Sequence, residues 1–154
     1  MRIIFEERAL RAMHQWLTKF YPEEACGFLL GYESGDTRTI TETWSATNIS
    51  EENRKRRFIV DPIDYLRAEK KAAMDGLSLL GIYHSHPEHP AIPSEHDLAA
   101  AYPFFSYTIV SLLHDEVADT RSYQLRGEKF EEEEVQTQTQ TQIQAQKSIK
   151  KGEG

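Results

Sequence analysis

Apolar and polar positions change period several times along this chain, and each change marks an element. Arg2 to Phe5 reads as a short opening strand. From Glu7 onward Leu10, Met13, Leu17 and Phe20 recur at the spacing of one helix face, and Pro22 stops the helix. Ala25 to Gly31 is a short apolar run ending in glycine, the pattern of a buried strand, with Glu24 at its start. Glu33 to Asp36 makes a turn, and the β-branched alternation of Thr37 to Trp44 predicts the returning strand. Asn48 to Arg57 is polar and charged, a surface loop, and Phe58 to Val60 a short strand. Asp61 and Pro62 then open a helix, Asp at the N-cap and Pro at the first turn, that runs to Gly76.

Leu77 to Tyr83 is an apolar strand running straight into His84-Ser-His-Pro87. Pro87, Pro90 and Pro93 hold the next stretch as loop, and Ser94 caps a helix that passes through Asp97 to about Tyr102. Tyr107 to Leu113 is a further core strand, and Arg121 to Leu125 its antiparallel neighbour. After residue 128 the apolar face vanishes. An acidic run, Glu131 to Glu134, leads into alternating Gln and Thr and a Lys-rich end. Such a tail has little reason to pack, so it predicts an edge extension at most and then disorder. The chain therefore divides into a domain at 1–128 and a polar, low-complexity tail at 129–154.

Length and composition narrow the class. The chain has 154 residues, 39% hydrophobic and 28% charged, which suits one soluble globular domain. No apolar run reaches the roughly 18 residues of a membrane span, and the N-terminus lacks a signal-peptide pattern. A cytoplasmic protein with no membrane partner is expected. The single cysteine, Cys26, forms no internal disulfide and excludes zinc sites built from several thiolates. Within an apolar strand it reads as an inert core residue. A net charge of -7 argues against nucleic acid as a partner.

The histidines change the picture. His84 and His86 stand two apart at the end of a predicted strand, so both side chains point to one side. Asp97 follows eleven residues later in the first turn of a helix, which the proline-stiffened loop can fold back onto the strand end. Two imidazoles and a carboxylate suit zinc, one ion per chain, and leave the fourth tetrahedral position open for water. Peptide hydrolysis also needs a base that collects the water proton and gives it to the leaving amine. Glu24 is the candidate, since it adjoins a buried strand where a merely solvated carboxylate is less expected. Ser94 can donate a hydroxyl hydrogen bond to the oxyanion, or act only as an N-cap. His89 and His96 lie near the motif but are not expected to bind the metal. The basic cluster Asn53 to Arg57 is either a solvated loop or a grip on an acidic partner.

These residues together resemble the JAMM (MPN-plus) zinc metalloprotease family. Its pattern is an upstream Glu, then His-x-His-Pro, six residues, and Ser-x-x-Asp. Here that is Glu24, three residues before Gly27, then His84-Ser-His-Pro87, Ser94 and Asp97. Glu23 is one residue out of phase. The resemblance runs from about Arg2 to Leu125, and the short form with Cys26 to Gly31 after the glutamate is most similar to the prokaryotic single-domain branch. It implies an α/β fold related to the cytidine deaminases, a curved mixed β-sheet flanked by helices. It also implies hydrolysis of peptide or isopeptide bonds at the C-terminus of a ubiquitin-like sulfur carrier of ThiS or MoaD type, including release of cysteine from a carrier. The alternative is a non-catalytic MPN-type interaction module, which normally loses the metal ligands kept here. A zinc deaminase needs a Pro-Cys-x-x-Cys element that a single cysteine cannot supply.

Overall fold

The computed structural model describes residues 1–139 and 141–146. Strand β1 (Arg2–Glu6) leads into helix α1 (Glu7–Lys19), followed by the antiparallel pair β2 (Cys26–Ser34) and β3 (Thr37–Ala46). Helix α2 (Pro62–Met74) precedes β4 (Ser78–Pro87), and the short helix α3 (Glu95–Ala99) precedes β5 (Ser106–Leu113), β6 (Glu116–Arg126) and β7 (Lys129–Gln138). The strands lie in the order β1-β3-β2-β4-β5-β6-β7, and β1 pairs with both β3 and β7, so the sheet closes on itself. The pairs β1–β3, β1–β7 and β4–β5 are parallel and the others antiparallel. This is the α/β architecture of a curved mixed sheet flanked by helices that the sequence leads one to expect.

The alternation of strand side chains sorts the core into two layers. Met13 and Leu17 of α1 pack with Ile3, Phe5, Leu29, Tyr83, Val110 and Leu112 on one face of the sheet. Ala68 and Ala72 of α2 pack with Phe28, Leu30, Ile82 and Tyr107 on the other. Asp61 caps α2 as anticipated, its carboxylate accepting from Ile63 N–H at 2.9 Å. Only small residues of α2 are buried, and Leu66 and Met74 remain exposed.

Three segments depart from the pattern-based expectation. Phe58 to Val60 makes only an isolated bridge, Val60 with Asn48. The Asn48 side chain does the work of a neighbouring strand here: its Oδ1 accepts from Ile59 and Ser50 N–H, and its Nδ2 donates to the carbonyls of Glu24 and Arg57. The helix after Ser94 ends at Ala99 rather than near Tyr102. Beyond it the chain crosses to β5, held by Tyr102 N–H donating to the Tyr107 hydroxyl and by Arg38 donating to the Phe104 carbonyl at 2.8 Å. Finally, residues 129–138 form β7, an interior strand between β6 and β1. Its Glu133 is buried and polar partners receive it: Ser122 Oγ and Gln124 Nε2 each donate to its carboxylate at 2.7 Å. The disorder expected in the rest of the 129–154 tail is not what residues 141–146 show, since they are helical and bury Ile143, while residues 140 and 147–154 lie outside the described residues.

Candidate active site

The antiparallel ladder of β2 and β4 builds the site. Cys26 lies opposite His84, and the pairing continues past the strand end, where Ser85 N–H donates to the Ala25 carbonyl and Ala25 N–H to Ser85 Oγ. Glu24 is two residues before Cys26, and His86 two residues after His84, so the register brings Glu24 alongside His86 on the same face. Gly27 is needed for this ladder to lie flat: a Cβ there would sit 2.2 Å from the buried Tyr83 ring. That close approach accounts physically for a glycine three residues after the glutamate.

Asp97 comes from the first turn of α3. Ser94 and Asp97 form a reciprocal cap, in which Asp97 N–H donates to Ser94 Oγ at 3.1 Å and Ser94 N–H donates to Asp97 Oδ2 at 2.8 Å. The cap aims the carboxylate at the histidines. His84 Nε2 is 3.1 Å from His86 Nε2 and 3.2 Å from Asp97 Oδ1, and His86 Nε2 is 3.2 Å from Asp97 Oδ2. Glu24 Oε1 stands behind, 3.8 Å from His86 Nε2. All four side chains are buried.

The donor set fits a zinc ion. Ligands held at about 2.0 Å by one tetrahedral ion stand about 3.3 Å apart, close to the observed triangle. The proton inventory agrees. His86 Nδ1 is 2.8 Å from the Pro90 carbonyl, which can only accept, so Nδ1 is a donor there and Nε2 is the nitrogen left facing the site. Among the described residues, Glu24 Oε2 and His84 Nδ1 are buried without a hydrogen-bond partner, and the first is an acceptor awaiting a proton donor at the site. Burial pushes the Glu24 carboxyl up to about 8, opposed by the charges of His86 and Arg56 and reinforced by Asp97. Burial also raises Asp97, but the charge of His84, the hydrogen bonds from His84 and His86, and Ser94 N–H outweigh it and hold that carboxyl well below the usual range.

The surroundings sort the remaining candidates. The Ser94 hydroxyl accepts from Asp97 N–H, so its own proton is free to donate, and the cap and donor roles are compatible. His89 stacks on His86 at the rim, whereas His96 lines the neighbouring groove. Burial pushes the Cys26 thiol up to about 12, so it is no nucleophile. A groove of about 650 Å³ opens from Glu24 and Asp97, walled by Arg56, Phe58, Val60, Leu66, Tyr102 and Tyr107. Asn48, which ties the Arg57–Ile59 segment to the Glu24 backbone, carries no motif signal in the sequence.

A strand-end histidine pair, a capped aspartate and a glutamate just before the adjoining strand thus meet at one end of the β2–β4 ladder. The model of the prokaryotic homologs of the JAB domain matches residues 6–126, and the chain belongs to this family, within the JAMM/MPN group. It is similar to a desampylase of Haloferax volcanii, 34% identical over 91 residues, covering 58% of this chain and 63% of the relative. A probable TtuB-protein conjugate cleaving protease of Thermus thermophilus is 50% identical over 44 residues, 29% of this chain and 30% of the relative. The chain thus spans under two thirds of the length of these curated relatives. Among solved structures, a Desulfitobacterium hafniense protein matches with TM-score 0.80 and 30% identity, over 90% of this chain and 94% of that one. A JAB1/MPN domain protein from Archaeoglobus fulgidus shares the fold, with TM-score 0.53 and 22% identity over 89% and 98% of the two chains. Among the described residues no helix is long and apolar enough to cross a membrane.

Proposed function

We propose that this protein is a zinc-dependent metallopeptidase that hydrolyses peptide or isopeptide bonds at the C-terminus of a ubiquitin-like sulfur carrier of ThiS or MoaD type, with cysteine release as one form of the reaction. The observation that carries this reading is the buried triangle of His84, His86 and Asp97 with Glu24 beside it. His84 Nε2, His86 Nε2 and the Asp97 carboxylate would hold one zinc ion. When bound, the zinc supplies Lewis acidity that makes water a nucleophile near neutral pH. Glu24 takes the proton released by the attacking water and passes it to the leaving amine. The Ser94 hydroxyl donates to the oxyanion that forms on the scissile carbonyl.

The groove supports the substrate class. Its walls suit an extended peptide, and Arg56 and Arg57 at its margin suit an acidic carrier approaching a protein whose net charge is otherwise -7. The printed names of the Haloferax and Thermus relatives, a desampylase and a conjugate-cleaving protease, support action on protein conjugates.

The test combines the zinc content of the purified protein with cleavage of a carrier–peptide fusion by wild type and Glu24→Gln. Stoichiometric zinc in both and a loss of about 10²–10⁴-fold in kcat for Glu24→Gln are expected. Equal rates remove Glu24 from the mechanism. Purified protein without zinc, combined with unchanged stability in His84→Ala, favours the interaction-module reading instead.

A further inference from the structure

A histidine ligand must hold its ring plane as well as its position. The torsion that turns an imidazole is broad, so rotamer preference alone leaves the ring loose and its neighbours have to fix it. In this site each candidate ligand ring has a second ring laid against its face. Phe58 stacks on His84, centroids 4.4 Å apart and planes 28° from parallel. His89 stacks on His86 at 4.1 Å and 20°.

His89 is held for this purpose from three sides. Its Nδ1 donates to the Pro87 carbonyl at 2.9 Å. Its own carbonyl accepts from the Ser111 hydroxyl of β5 at 2.7 Å, and two residues on, the Ala91 carbonyl accepts from the buried Tyr123 hydroxyl of β6 at 2.6 Å. At the start of the turn Glu88 adopts φ 63° and its N–H donates to the Leu112 carbonyl. The loop so anchored gives His86 two restraints at once: the Pro90 carbonyl on Nδ1 and the His89 ring on its face.

A nitrogen of His89 lies within 4.8 Å of ligand atoms of both Glu24 and His86, so a metal-ligand role is the competing reading. Phe58 argues against it. That ring has no ligand atom yet stands in the same relation to His84, so the relation calls for a flat face and not a nitrogen.

We infer that His89 is a positioning residue for the metal site, acting through the face of its ring on His86 rather than as a ligand or proton carrier. This rests on His84, His86 and Asp97 holding zinc. The test is zinc affinity, measured by competition with a chromophoric chelator, together with the absorption spectrum of the cobalt-loaded protein. Two variants separate the ring from its hydrogen bond. His89→Phe keeps a flat ring and loses the bond to Pro87, whereas His89→Asn can keep that bond and has no ring face. His89→Asn is expected to weaken zinc binding by about 10–100-fold and alter the cobalt spectrum. His89→Phe is expected to stay close to wild type in both. His89→Leu, apolar but without a flat face, should behave like His89→Asn and covers the case in which the asparagine variant folds poorly. Wild-type affinity in both His89→Asn and His89→Leu overturns the inference. So does a loss in His89→Phe as large as in His89→Asn, which assigns the role to a ring nitrogen. Wild type that binds no zinc refutes the metal site itself, a separate outcome.

Discussion

Glu24 is 3% exposed, and one of its carboxylate oxygens has no partner. This has a consequence for stability as well as for catalysis. In the metal-free protein its carboxyl is raised by burial from 4.5 to about 8, so over that window the native state holds a proton that the unfolded chain has released. Stability from this group is fully present below the unfolded value and is lost as pH rises through the folded one. The melting temperature of chelator-treated protein should therefore fall between about pH 5 and pH 8, and Glu24→Gln should flatten that fall. A wild-type slope identical to that of the variant would assign the effect to other groups. A second expectation concerns Ser94. Ser94→Ala removes both the cap and the free hydroxyl proton, and should lower kcat by about 10²-fold while costing about 1 kcal/mol of stability. The preference for Glu24 over Glu23 was legible because strand period and the distance to Gly27 select one phase. Asn48, Ser111 and Tyr123 were not legible, since a polar residue that props a loop from a distant strand leaves no local pattern.

At the scale of elements, strands and helices with a clear apolar period were read well, and the errors fall where polar groups replace that period. Asp61-Pro62 marked the start of α2 because a cap and a fixed φ are local properties. The Phe58–Val60 segment looked like a strand by composition, yet the Asn48 side chain satisfies its backbone. Asn48→Ala should loosen the Arg54–Val60 wall of the groove, raising KM for a carrier fusion more than it lowers kcat. A change confined to kcat would contradict that role. Gly27 gives an independent check on the β2–β4 ladder. Gly27→Ala places a methyl against the Tyr83 ring and should cost about 1–3 kcal/mol in denaturant unfolding.

At the scale of the whole molecule, β7 is the element the sequence disguised. Its acidic and Gln/Thr-rich run carries little apolar signal, because Glu133 fills an inner position that is itself polar, lined by Ser122 and Gln124, while the widely spaced Phe130 and Val135 pack against the core. Truncation after Glu128 deprives β1 of one of its two neighbours, and loss of a cooperative thermal transition by circular dichroism is the expected result. A truncated protein that melts like the full chain would make β7 dispensable.

Closure of the strand ring also bears on how the protein behaves at high concentration. An open sheet ends in rows of unpaired N–H and C=O groups that can recruit strands from other molecules, and proteins commonly blunt such ends with charges, prolines or bulges. Here the two ends, β1 and β7, are bonded to each other over Arg2–Glu6 and Glu134–Gln138. The Gln- and Thr-bearing strand, which as a free peptide would be a ready template for intermolecular pairing, spends its hydrogen bonds within the ring. The ring thereby shields the protein from self-association at its own seam.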